Sequence, residues 1–210
     1  MKKKVLWTDI WRTIWLTKSR FFSLWAIVFI GTAFFVGVWD SAPIMGYSVD
    51  RYNDEMNMMD FTIYSNYGFD ENDLKAVQDM DEIDVAEGSY FVDVEAKQDQ
   101  KVRITRIHSF DPDKQLNQFV LIDGRLPQNI NECVVDKGKE ISPGYEVGTT
   151  IELGRPDGDL DDFLKVNKLT VVGTVYTPYY LNEKKESSTL SNQDIDTFAY
   201  VMEDAFDLDY

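Results

Sequence analysis

A single cysteine, Cys133, and a single histidine, His108, remove whole classes of chemistry from this chain. One thiol forbids an internal disulfide, so an exported domain must rely on its apolar core, which the Val, Ile, Leu, Phe and Tyr content can supply. Cys133 lies in "NECVVD", a strand-like run without a supporting group nearby, and reads as a small core residue rather than a nucleophile. His108, in "RIHSFDPDK", follows a strand carrying Arg103 and Arg106. Without a second ligand in reach it reads as surface or turn structure, not as a metal site.

Positive charge is scarce as well: 21 Lys and Arg stand against 37 Asp and Glu, a net charge of −16. The acid excess of residues 40–210 argues against nucleic acid, or an anionic membrane surface, as a direct partner of that part. No G-x-x-x-x-G-K-[ST] is present, so the chain does not itself bind ATP through a P-loop, and G-x-S-x-G and H-E-x-x-H are missing too. "PDGDLDDF" places Asp157, Asp159 and Asp161 at alternate positions, like the start of a calcium loop. That loop needs Gly at its sixth position and Glu at its twelfth, where Asp162 and Lys168 stand. It reads as a solvated acidic loop between two strands. No catalytic, cofactor-binding or metal residue is assigned, and no cofactor is expected.

What the chain does have is one long apolar run. From Phe21 to Trp39 nineteen residues pass without a charge, and a helix of that length reaches roughly 28 Å, close to the ~30 Å hydrocarbon thickness of a bilayer. Ser23 and Thr32 can return their hydroxyls to the helix's own carbonyls, and Trp25 and Trp39 can sit near the interfaces. A cleaved signal peptide fits less well. About twenty residues precede the run, and the nearest cleavage candidate, Asp40-Ser41-Ala42-Pro43, has proline after the small residues. Residues 1–20 carry six basic groups against Asp9, a balance of +5, so with −16 overall the remainder sums to −21. The positive-inside rule then places residues 1–20 in the cytoplasm, 21–39 across the cell membrane and 40–210 outside.

Within the first segment, Leu6, Ile10 and Ile14 recur every four residues, and so do Trp7, Trp11 and Trp15. This is the pattern of an amphipathic helix lying in the inner headgroup region, with membrane lipid as its partner. Ala33 and Gly37 form a small-xxx-small pair that could mark a partner helix.

Residues 40–210 read as an α+β domain with a mixed or antiparallel set of strands. "SAPIMGYSVDRYNDEMNM" is expected to continue helically from the membrane, with Pro43 in a first turn. "MDFTIYSN" reads as a strand, "FDENDLKAVQDM" as a short helix capped by Asp70, and "GSYFVDVEA" with "KVRITRI" as a hairpin. In the first of these two strands Tyr90, Val92, Val94 and Ala96 fall on one face, Asp93 and Glu95 on the other. Five more strands follow, in "QFVLIDGRLP", "NECVVDK", "GTTIELG", "NKLTVVGTVYTP" and "DTFAYVM", with Gly124, Gly148 and Gly173 where strands turn or bend. "LNEKKESSTLSNQDID" has no apolar period and reads as a loop.

This order of parts resembles the N-terminal half of a bacterial ABC-transporter permease of the FtsX-like or MacB-like type. An interfacial helix feeds a first span that leaves directly into an outer domain. "LIDGRLPQNINECVVDK" is similar to the family's Gly-Arg turn and Glu-x-Val-Val strand, and "PGYEVGTTIEL" followed by "LTVVGTVY" to its next strand pair. Arg125 of the turn can reach a carboxylate. The resemblance implies a MacB-periplasmic-core-like outer domain and a separate cytoplasmic ABC ATPase subunit as partner, together with a second permease copy. It also implies a peptide, lipoprotein or lipid-like substrate. Family members carry at least three further spans, so the sequence is expected to be the N-terminal part of a longer permease. Under this reading the chain is a transport subunit and not an enzyme. Two rivals are a single-pass extracytoplasmic sensor or adaptor, and an anchored cell-surface enzyme, for which no catalytic set is visible.

Overall fold

The computed structural model of the chain describes residues 2–65, 68–98, 100–139, 142–143, 145–156, 158, 160–180, 187–190 and 194–208. The chain divides into two compact units, Met1–Tyr52 and Asn53–Tyr210.

The first unit is helical. Helix α1, Lys2–Leu16, carries the tryptophan stripe, with Trp7, Trp11 and Trp15 all exposed. Backbone bonds from Thr17 N to Thr13 O and from Phe21 N to Thr17 O carry the i→i−4 pattern across the junction, both at 3.0 Å. Helix α2, Lys18–Glu55, has 38 residues, a length of roughly 57 Å. None of its residues is buried, and Leu24, Ile27, Val28, Ile30, Phe34 and Phe35 stand exposed around its circumference. Among the described residues it is the one helix long and apolar enough to cross a membrane, by length and composition. Its hydroxyls turn inward as expected: Ser23 Oγ donates to Ser19 O at 2.9 Å and Thr32 Oγ1 to Val28 O at 2.6 Å. Pro43 does not open a new helix; it lies inside α2. Lacking an N–H, it leaves the Trp39 carbonyl without its usual donor, and nearby Ser41 Oγ donates to Val38 O at 2.8 Å.

The second unit is a barrel. Its elements are α3 (Glu71–Gln78), β1 (Phe91–Gln98), β2 (Lys101–Phe110), β3 (Val120–Gly124), β4 (Glu132–Asp136), β5 (Gly138–Lys139), β6 (Ser142–Pro143), β7 (Thr150–Gly154), β8 (Lys168–Tyr176) and β9 (Thr197–Met202). The main sheet runs β3-β8-β4-β9-β2-β1-β7, and β7 pairs back onto β8, closing six strands with β3 as an extra one. The β2–β9 and β4–β8 pairs are parallel and the others antiparallel, so the sheet is mixed. The short strands β5 and β6 pair separately.

Closure depends on β8 sharing one edge between two neighbours. Its first half, Lys168–Thr170, pairs with β7, and its second half, Gly173–Tyr176, with β3. The switch falls at Val172, an extra residue opposite the Cys133–Val134 step of β4, and such a bulge re-aims the backbone. Two glycines make the crossing possible. A side-chain carbon on Gly173 would lie 2.5 Å from the Arg125 carbonyl oxygen, and one on Gly124, at φ +79°, 2.8 Å from Gly173 Cα. No other residue fits either place.

Strand alternation builds two apolar layers. Val92, Val94, Ile107, Val135, Leu169 and Val201 belong to the barrel interior, with Cys133 among them. Ile104, Val134, Val175, Phe198 and Tyr200 point the other way and pack with Ile195 into a second cluster outside the barrel.

Helix α3 opens on Asp70 as expected: its side chain accepts from Asp73 N at 2.8 Å while Asp73 Oδ2 accepts from Asp70 N at 3.1 Å. Three expectations are corrected. Residues 59–65 form no strand, since among the described residues no strand ladder includes them, and Phe61 and Ile63 stay exposed; Asn66 of the same run lies outside the described residues. His108 lies within β2, opposite Phe91, and is buried, because the strand runs two residues past it. Asp93 faces away from the interior as expected but is only 1 % exposed, because the chain between β8 and β9 covers it.

Candidate functional site

Within the second unit, the residues that follow α2 pair with a distant loop. The chain leaves the helix through Asn57, which adopts a left-handed backbone (φ 47°), and meets Asn117, also left-handed at φ 53°. Asparagine tolerates this conformation better than other side-chain-bearing residues. Asn117 N donates to Asn57 O at 2.9 Å, and Gln118 N to Met56 O at 2.9 Å. In return Met59 N donates to Asn117 Oδ1 at 3.1 Å, and Asn57 Nδ2 to Gln115 O at 3.3 Å. The partner loop is itself anchored: Glu87 accepts from Gln115 N and Leu116 N at 2.8 and 3.0 Å, and Lys114 pairs with Glu203 at 2.6 Å. Residues 56–59 are thus clasped to the stretch that enters β3. Neither asparagine stands out in the sequence, since only the pairing gives them meaning.

The second cluster sits on the outer face of β1 and β2. Arg106 Nε donates to Asp93 Oδ1 at 2.7 Å and Nη2 to Oδ2 at 3.1 Å, in a pair exposed by 4 % and 0 % at the side chains. Asp93 Oδ2 also accepts from Thr189 N at 2.7 Å, Thr189 Oγ1 at 3.0 Å and Ser188 Oγ at 3.3 Å. Burial by itself would raise the Asp93 carboxyl, but the hydrogen bonds from Arg106 and Thr189, with the Arg106 charge, prevail and hold it below its ordinary value. Next to it, His108 is enclosed by aromatic rings. Burial, and then the Arg106 charge, depress its pKa to about 3, against a smaller opposing pull from Asp93.

The Gly-Arg turn forms a third feature. Arg125 reaches the carboxylate of Glu132 with both arms, each at 2.7 Å, and so ties the turn to the first residue of β4. Gln128 N and Asn129 Nδ2 complete the cage at 2.9 and 3.1 Å. These hydrogen bonds, Arg125 foremost, lower the Glu132 pKa to about 2. The two halves of "GRLPQNINECVV" are therefore one structural unit.

The remaining candidates do not assemble. Cys133 is fully buried inside the barrel, where burial pushes its thiol up to about 12; a thiol so held is not a nucleophile. Asp161 lies in a 3-10 turn, Leu160–Asp162, whereas Asp157 and Asp159 lie outside the described residues. Among the described residues no group of three or more His, Cys, Asp or Glu side chains could hold a metal ion. A depression of about 550 Å³ is lined by Gln128, Asn129, Ile130, Asn131, Val166, Met202 and Asp204. Its one carboxylate and three amides include no nucleophile with a base. Comparison of the chain with protein-family models, with curated proteins and with solved structures finds no match in any of the three.

Proposed function

We propose that the chain is the N-terminal part of an ABC-transporter permease of FtsX-like or MacB-like type. In this reading it passes motion between a cytoplasmic ATPase subunit and an extracytoplasmic domain, for export, release or peptide resistance. The observation that carries the reading is mechanical. An unbroken helix of 38 residues includes the apolar stretch, and the residues directly after it are clasped by four hydrogen bonds to the stretch entering β3. A helical connection passes on a rigid-body shift better than a glycine-serine tether, which would absorb it.

Supporting this are the charge contrast of +5 before the apolar run and −21 after it, and the tryptophan stripe now found on a helix. In this reading residues 1–20 are cytoplasmic and interfacial, and the acidic domain is outside. Pro43 falls just beyond the span, inside α2. The substrate is a peptide, lipoprotein or lipid-like molecule, and a second permease copy completes the transporter.

The test is purification of the natural protein from its own membrane in mild detergent. An ATP-hydrolysing ABC subunit should accompany it in fixed stoichiometry, and vanadate should inhibit that hydrolysis. A protein that leaves the membrane without such a subunit, while still folded, refutes the proposal.

A further inference from the structure

We infer that β3 is a detachable strand: it opens from β8 as a unit of its own while the six-stranded barrel stays closed, and the asparagine clasp holds it shut. This inference rests on the second unit alone and does not require the transporter reading.

Strand β3 is weakly held. It pairs only with the second half of β8: Val120 with Tyr176, Leu121 with Val175, Asp123 with Thr174 and Gly124 with Gly173. The register skips Ile122, and among the described residues no strand lies along the other edge. All five residues are exposed, and even Val120, Leu121 and Ile122 keep between 37 and 40 % of their surface open. None of the five belongs to the inner or the outer apolar cluster. A strand with so little buried apolar area and a solvent-exposed ladder falls at the low-stability end of a fold. The barrel does not depend on it. When β3 opens, β8 keeps its parallel ladder to β4, where Val134, Val135 and Asp136 oppose Gly173, Thr174 and Val175, and β7 still closes the ring.

Both ends of the strand are pinned. Before it, Phe119 packs on Phe110 and Tyr200, at 5.1 and 5.0 Å between ring centroids. After it, Arg125 N donates to Val172 O at 2.9 Å, and the Arg125 side chain is tied to Glu132 of β4. Opening is thereby confined to Val120–Gly124. The clasp sits immediately upstream: Asn117 N and Gln118 N donate to Asn57 O and Met56 O, and Asn117 Oδ1 accepts from Met59 N. These bonds fix the lead-in of β3 and so limit how far the strand can swing. Residues 56–59 come directly after α2. Whatever loosens that segment therefore loosens β3, the strand next to the clasp, and not the closed ladders of the barrel.

Lys137 N donates to Val175 O at 3.0 Å, so the Val175 backbone faces β4 and, by strand alternation, those of Thr174 and Tyr176 face β3. The amides of Thr174, Tyr176 and Val120, which lies opposite Tyr176, therefore report the β3–β8 ladder. Amide-resolved hydrogen exchange of the full chain in detergent micelles should give these three one shared protection factor. It should lie at least about a hundredfold below that of the β2–β9 ladder. Asn117→Gly, which removes one hydrogen bond of the clasp, should lower the shared factor by roughly fivefold and leave the β2–β9 ladder unchanged. Leu121→Gly, at an exposed strand position, should do the same and serves if Asn117→Gly does not fold. Protection of the three amides equal to that of the β2–β9 ladder, or three unrelated protection factors, would overturn the inference. So would an unchanged shared factor in Asn117→Gly, or variants that weaken both ladders equally. If neither variant folds, the wild-type comparison decides it.

Discussion

Replacing Asp93 by Asn separates a buried charge from its partner with almost no change of volume. The carboxylate takes two hydrogen bonds from Arg106 and three from Ser188 and Thr189. An amide offers one oxygen in place of two, and its NH2 must face a donor of Arg106 or Thr189. Arg106, 4 % exposed, keeps its charge and loses the two charge-assisted bonds to this carboxylate. Breaking a buried pair on one side costs about 3–5 kcal/mol. For a domain of this size that lowers Tm by roughly 10 °C, taking about 2–4 °C per kcal/mol. The assay is thermal unfolding of the full chain in detergent, followed by circular dichroism in the β region at pH 7.5. Asp93→Leu combined with Arg106→Met should lose less than the single variant, because both members of the buried pair are then removed together. A melting temperature within about 2 °C of wild type for Asp93→Asn, equivalent to about 1 kcal/mol or less, would show that water reaches this pair and that the cluster is not closed.

Further outcomes follow from other parts of the molecule. Gly173→Ala should destabilise the barrel by about 2 kcal/mol or more, since the added carbon meets the Arg125 carbonyl at 2.5 Å; a denaturant midpoint equal to wild type contradicts the fork between β3, β7 and β8. Asn117→Ala removes the acceptor of Met59 N and strains a left-handed residue, whereas Asn117→Gly removes the acceptor alone. Exchange of the Met59 amide should rise in both, and stability should fall further in the alanine variant. A cysteine at Ser187 should react with an impermeant thiol reagent in intact cells and one at Thr8 should not. Buried Cys133 supplies an unreactive background. A synthetic peptide of residues 1–20 should gain helicity and a blue-shifted tryptophan emission with anionic vesicles, and a disordered peptide there would refute the interfacial role.

How far the sequence revealed this structure depends on the range of the forces involved. The Asp70 cap, the β1–β2 hairpin and the back-bonded hydroxyls of α2 arise from groups within a few residues, and all are legible in the pattern. The three strand-turning glycines are legible too, and at Gly124 and Gly173 the reason is close backbone contact. Burial of Asp93 and His108 is not, because alternation separates two faces of a strand without showing what covers the outer one. Here the cover includes Ser188 and Thr189, nearly a hundred positions away from Asp93. Closure of the barrel through β7 and β8 depends on a bulge at Val172 that no residue type announces. The run around Phe61 and Ile63 has strand composition but joins no ladder among the described residues, and composition alone does not make a strand. The asparagine clasp was invisible for the same reason: each half is ordinary, and only their meeting is informative.

The proposed transporter reading stands or falls on whether motion passes along α2 into the second unit. Replacing Ser41–Gly46 by a glycine-serine stretch interrupts the helix at Pro43 while leaving the apolar run, the clasp and the barrel untouched. If the proposed reading holds, the variant should insert into the membrane, fold, and retain an ATPase subunit, yet lose export or protective activity. Wild-type activity in that loosened protein, with the stretch shown to be flexible, would contradict mechanical transmission and leave the domain a passive binding part.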